Sequence, residues 1–142
     1  GPRTYLDLLK DTAECFLRHG FTRLVFVNGH GGNIVPYQQA LFELKQGYRA
    51  ARELMLLGLT YWDAAPNPAE AIPGLVQRQM GHACEWETSM VLRLNPKLVV
   101  GDLSAVPEVP FGSGGAPGYR GWVMPDRSAP GHIGAPAHAT AE

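Results

Sequence analysis

Two short runs in this chain hold side chains whose types and spacing suit chemistry. In Asn28-Gly29-His30-Gly31-Gly32-Asn33 a histidine stands among three glycines, and in GHACEWETSM, residues 81–90, His82 precedes Glu85 and Glu87. Imidazole and carboxylate together suit zinc, manganese or ferrous iron, and either group alone can move a proton. The glycines around His30 permit positive φ and leave space beside the ring for a metal, a water or a substrate. A plainer reading is a strand-to-helix turn with His30 bonded to a neighbouring carbonyl. A phosphate loop is a poorer one, because NGHGGN fits neither GxGxxG nor a P-loop with its Lys and Ser/Thr.

The second run lies at the start of a helix expected over residues 83–94 and stopped by Asn95-Pro96. Acidic residues in a first turn are ordinary on dipole grounds, but the two faces differ. Glu87, Val91 and Leu94 follow i, i+4, i+7 and share the apolar stripe, whereas Glu85 lies about 200° away beside Ser89 and Leu92. Glu87 is therefore expected to be buried and Glu85 more exposed. A buried carboxylate is costly without a partner. For Glu87 that partner is a cation shared with His30, or else an arginine such as Arg23 or Arg93. Cys84, next to His82, raises the possibility of a thiol nucleophile, but a small buried residue at a helix start is the plainer role.

The elements that must position these groups follow from periodicity. Thr4 with Asp7 three positions on resembles a capping box, and Leu6, Leu9, Ala13, Phe16 and Leu17 recur at helical spacing until Gly20. His19 then sits at a helix C-terminus, where it favours the dipole. RLVFVN is too uniformly apolar for a strand with one face in water, so it is expected to be interior. Asn33 can cap a second helix to about Lys45, with Tyr37, Ala40, Leu41 and Leu44 inward, and LMLLGLT forms a second strand. Strand, helix and strand make a parallel βαβ unit, so the fold class is α/β. Ligands bind outside the carboxyl ends of such strands, which places His30 at the crevice. Tyr61 and Trp62 follow the second strand at the same edge, where they either wall a pocket or pack in the core. DAAPNPAEAIPG is a surface loop. Residues 103–142, rich in Pro and Gly, are expected to be a loop or arm. Within them residues 111–122 either reach a neighbouring subunit, cover the site or form a plain loop, and His132 and His138 receive no role.

Composition excludes several classes. Twelve basic and thirteen acidic residues give a net charge of −1, and no Lys/Arg stripe interleaves with aromatics, so nucleic acid is not an expected partner. No apolar run approaches the roughly 20 residues of a membrane span, and the expected location is cytoplasmic. Cys15 and Cys84 show no CxxC spacing and are expected to be reduced, buried thiols.

VFVNGHGGN followed some fifty residues later by GHACEWETSM, with a βαβ unit between and an upstream helix ending RHGF, resembles the creatininase (creatinine amidohydrolase) family. The resemblance covers nearly the whole chain. It implies a three-layer αβα sandwich with a mostly parallel sheet, of whose single domain residues 1–142 are part. It further implies a metal-dependent amidohydrolase cleaving a non-peptide amide C–N bond of a small molecule. Such enzymes often hold two divalent ions (Zn, Mn or Fe) and commonly assemble as homohexamers. Carried over by position, His30 matches the metal-binding histidine of NGH, and His82 the histidine that serves as proton donor or substrate contact. Glu87 matches the glutamate of ETS and stands as a candidate metal ligand. Creatinine-hydrolysing members resemble NGHYEN where this chain has Gly31 and Gly32. They also carry Trp-Asp upstream of the second histidine, where this chain has Arg78, Gln79 and Met80. Both departures argue against creatinine as the substrate. The family's upstream segment resembling E-x-H-G-x-H-L-P-x-x-T-D, which supplies further ligands, does not occur here, so the expectation is a fragment lacking the N-terminal third. The alternative is a catalytically incomplete creatininase-like scaffold or small-molecule binding protein.

Overall fold

Both apolar runs form strands in the computed structural model, which describes residues 1–112 and 120–142. β1, Arg23–Asn28, pairs in parallel with β2, Met55–Thr60, in a register running from Arg23 opposite Met55 to Asn28 opposite Thr60. The fold class is α/β with a parallel sheet, as expected. The chain divides into two compact units, Gly1–Ala65 and Pro66–Glu142.

In the first unit, α1 spans Pro2–Arg18 and buries Leu6 and Ala13. Thr4 lies inside it rather than capping it, since Pro2, with its φ already fixed, takes the first turn. Phe16 leaves the expected inner stripe and stacks edge-to-face on Phe21 at 5.5 Å, at the surface. Gly20, at φ +86°, ends the helix, and the ring of His19 lies 2.7 Å from the carbonyl of Cys15, whose side chain is exposed and not buried as expected. α2, Ile34–Gly47, is the crossover between the strands and buries Tyr37, Ala40 and Leu44. It comes close to β2 because Gly58 has no side chain: a Cβ there would lie 2.6 Å from Leu41 and 2.7 Å from Tyr37. Among the described residues, a helix covers that face of the strand pair. On the other, Val25, Val27, Met55 and Leu57 are exposed, so β1 is not buried on both faces as its composition suggested. A parallel strand needs a layer on each side, and the described residues place a helix on one.

In the second unit, Asn67 caps the single-turn α3, Pro68–Ala71, by accepting from the N–H of Ala69. α4, Glu85–Leu94, ends at Asn95 before Pro96, and α5, Met124–Arg127, is again one turn. The core gathers Ala69, Cys84 and Trp86, with Leu75 and Met80 against them. Of the two expectations for residues 103–142, the described part is loop folded into this unit and not a free arm. Residues 132–136 are all buried, Val109 pairs with Gly134, and the ring of His132 lies 2.7 Å from the carbonyl of Pro107. Seven residues of the 111–122 segment, 113–119, lie outside the described residues, so its reach toward a subunit or the site does as well. No helix among the described residues is long and apolar enough to cross a membrane.

Candidate functional site

The predicted site residues fall in both units, His30 in the first and His82 and Glu87 in the second, and each is placed within its own unit. At the carboxyl edge of the first, Asn28 ends β1 with its side chain buried. Its amide donates to the carbonyl of His30 (2.9 Å) and to Oγ1 of Thr60 (3.3 Å), while its Oδ1 accepts from the N–H of His30 (3.2 Å). One side chain thus holds both backbone groups of the histidine. His30 itself is extended (φ −148°, ψ 132°) and precedes a short 3₁₀ turn, Gly31–Asn33. Asn33 contributes its N–H, donated to the carbonyl of His30, and not the side-chain cap expected of it.

The glycines around His30 do not serve positive φ: none of Gly29, Gly31 and Gly32 adopts it. They serve space. A Cβ on Gly32 would lie 3.0 Å from Nε2 and 3.2 Å from Cδ2 of His30, so the missing side chain gives the imidazole ring its room. Tyr61 and Trp62, half-buried and edge-to-face at 5.0 Å, follow β2 at the same edge.

In the second unit His82 is fixed through its backbone. Its N–H donates to the carbonyl of Ile133 (2.9 Å), and its carbonyl accepts from the N–H of Ile133 (2.8 Å). This close pair is possible because residue 81 is glycine: a Cβ there would overlap the carbonyl oxygen of Ile133. Ala83 follows at φ +46°, a left-handed conformation that costs a non-glycine residue roughly 1 kcal/mol. It turns the chain from the pair with Ile133 into α4, whose N-cap is Cys84. That cysteine is fully buried; its sulfur accepts from the N–H of Gly81 and points to Met80, a packing role and not a nucleophile's.

The glutamates reverse the expected burial. Glu85 is 1% exposed, and its carboxylate accepts from the N–H groups of Val76 (3.2 Å) and Gln77 (2.6 Å). Glu87 is only half-buried, as is Val91 on the same stripe, and Leu94 is 84% exposed. The reason is local. The first turn of α4 is covered by residues 75–77 of the preceding loop and not by whatever meets the helix's own apolar face. One oxygen of Glu87, Oε2, is nevertheless buried with no hydrogen-bond partner among the described residues, so neither proposed arginine supplies one.

The whole chain, residues 1–142, matches the family model for creatininase, creatinine amidohydrolase. The chain belongs to the creatininase family. A creatinine amidohydrolase of Pseudomonas putida is 34% identical over 115 residues, covering 75% of this chain and 41% of that protein. Among solved structures, a glutamate-to-glutamine variant of creatininase complexed with creatine superposes with a TM-score of 0.74 at 28% identity, covering 99% of this chain and 57% of that one. A Zn-Zn type of such a variant gives 0.73 at 29%, covering 99% and 56%. The chain therefore spans about half the length of these relatives.

Donor chemistry fits a divalent ion one residue at a time: an imidazole at His30 and, at Glu87, a buried carboxylate oxygen with no hydrogen-bond partner among the described residues. Among the described residues no group of three or more His, Cys, Asp or Glu side chains is placed to hold a metal ion. Reading along the chain singled out neither Asn28 nor Ile133, whose hydrogen bonds hold the backbones of His30 and His82. Only Asn28 carried a signal, as a polar residue closing an apolar strand.

Proposed function

We propose that this chain is the part of a metal-dependent, creatininase-type amidohydrolase that presents His30, His82 and Glu87 to the non-peptide amide C–N bond of a small molecule. In this reading His82 is catalytic, and His30 and Glu87 are metal ligands. Both units belong to one creatininase-like αβα domain of a cytoplasmic homohexamer. The observation that carries the reading is the presentation of His82. A double backbone pair, an obligatory glycine before it and a left-handed alanine after it are an expensive way to hold a residue without a task.

Hydrolysis adds water across the amide, and the departing nitrogen must gain a proton. His82 gives that proton as the C–N bond breaks and regains one from the water that adds. A histidine suits both directions of transfer near neutral pH. His30 and Glu87 would hold zinc, manganese or iron; such an ion, when bound, supplies charge for the carbonyl oxygen and acidifies water. Two ions, as in the Zn-Zn type relative, need ligands beyond these two residues. Gly31 and Gly32 leave room at His30 and favour a substrate bulkier than creatinine. The absence of a three-ligand group among the described residues favours a second reading, a creatininase-like scaffold that binds a small amide without turning it over.

The test follows ring opening of creatinine and a panel of small cyclic amides, read as loss of the cyclic amide and appearance of the open-chain carboxylate, with metal content measured alongside, in the natural protein and its His82→Gln and His30→Ala variants. His82→Gln is expected to abolish hydrolysis with metal content intact; lost metal would instead make His82 a ligand. His30→Ala is expected to lose metal, and unchanged stoichiometry refutes its role. A wild-type protein that binds the panel without hydrolysing it leaves the scaffold.

A further inference from the structure

We infer that Gln77 is a positioning residue for His82, an inference that rests on the reading of His82 as the group that moves a proton. Gln77 is 5% exposed, and every polar group it owns is engaged. Its Oε1 accepts from the N–H of Ala135 (3.0 Å) and from the N–H of Glu85 (3.3 Å), and its Nε2 donates to the carbonyl of Gln79 (2.6 Å). Its backbone N–H donates to the Glu85 carboxylate, and its carbonyl accepts from Nε1 of Trp86 (3.1 Å).

Those partners are the two supports of His82. Ala135 lies two residues beyond Ile133, the residue paired with His82, and Glu85 opens α4 three residues after it. One carboxamide oxygen therefore ties the strip that holds His82 from the side to the helix start that holds it from behind. The packing leaves little latitude. Gly134 sits at φ +123°, a Cβ there would overlap Oε1 of Gln77, and Cys84 Cβ would be 2.9 Å away. With Ala83 strained between the bridge and the helix, release of either support lets the backbone at 82–84 relax and turn the imidazole. Proton transfer falls steeply with misplacement of this order, by about tenfold to a hundredfold.

Gln77→Met keeps the length and volume of the side chain and removes its amide. Gln77→Glu keeps the accepting oxygens and is the second variant: because the tie runs through the oxygen, it is expected to leave the His82 signal in place, a prediction that stands whether or not Gln77→Met folds. The readout is the imidazole Cε1–H spectrum of histidine-labelled protein, with the His82 signal assigned by His82→Gln. Ala69→Gly serves as a control that loosens the same core without removing a Gln77 bond. Expected in Gln77→Met are a displaced or broadened His82 signal, unchanged His19 and His30 signals, and kcat down about tenfold or more with KM within about threefold. A His82 signal identical to wild type in Gln77→Met, a displaced His82 signal in Gln77→Glu, or the same displacement in Ala69→Gly overturns the positioning role. If His82→Gln retains hydrolysis while Gln77→Met still displaces the His82 signal, the catalytic reading fails and the positioning stands.

Discussion

The two glutamates of GHACEWETSM offer a sharp test, because their environments predict opposite responses to neutralisation. Glu85→Ala leaves the buried N–H of Gln77 and the part-buried N–H of Val76 without an acceptor. A buried orphan costs about 1 to 3 kcal/mol, toward the top of that range when the lost acceptor is charged, and a part-buried one less because water can reach it. The expected loss is about 2 to 4 kcal/mol, a large share of the roughly 5 to 15 kcal/mol that holds a domain folded. Glu85→Gln keeps one acceptor and turns an NH₂ toward the other N–H, for about 1 to 3 kcal/mol. Glu87→Gln removes no hydrogen bond at Oε2, which has none, and relieves a buried carboxylate oxygen; its stability should stay within about 0.5 kcal/mol or rise. Urea titration in a Trp62→Phe background measures this directly. Trp86 and Trp122 then both report on the second unit. A Glu85→Ala loss below about 1 kcal/mol, or a Glu87→Gln loss larger than that of Glu85→Gln, refutes the assignment of Glu85 as structural and Glu87 as the carboxylate kept for a ligand.

Two further outcomes are expected. Gly81→Ala drives a Cβ into the carbonyl oxygen of Ile133 and should lower stability by about 3 kcal/mol, whereas Gly31→Ala, with nothing within 4 Å and no positive φ, should change it by less than about 0.5 kcal/mol in thermal melts. The Glu43 carboxyl lies below its ordinary range because Lys10, and then Gln39, hydrogen-bond to its charged form. A depressed carboxylate contributes stability above its unfolded pKa and loses it as pH falls through the folded value. Glu43→Gln should therefore destabilise at about pH 7 and become indistinguishable from wild type at about pH 2, and a difference that persists in acid would show that packing, not charge, holds Lys10 to Glu43.

What was legible in the sequence is what depends on near neighbours along the chain. RLVFVN became β1 with the expected bounds, and LMLLGLT became β2 without its first residue, because short apolar runs of that length have little else to form. α4 stopped at Asn95-Pro96 for the same local reason. The motif pair also located the histidines, and the family match extends over the chain that carries them. Asn33 shows where local reasoning thins. Its type suits a cap, but its backbone already serves the turn that presents His30, and no side-chain cap bond forms.

The reversal at Glu85 and Glu87 marks the limit more sharply. Helical periodicity ranks residues by angle around an axis, which predicts burial only where one surface runs the length of the helix. α4 is ten residues long, and its first turn is enclosed by loop segments arriving from residues 75–77 and 133–135. Those segments cover the side opposite the stripe, so the residue that periodicity exposes is the one they bury. Their arrival depends on Gln77 and on glycines at 81 and 134, fifty residues apart, whose joint requirement is steric and leaves no period to read. A polar residue in an irregular loop carries little local signal, yet Gln77 joins three segments. The same logic explains the tail. Residues 132–136 read as loop because nothing in them repeats, and they are buried because the carbonyl and N–H of Ile133 complete the backbone of His82. A histidine held in this way is specified by residues distant from it in sequence, and substitutions at 77, 81 or 133 should disturb it more than substitutions at its neighbours in α4.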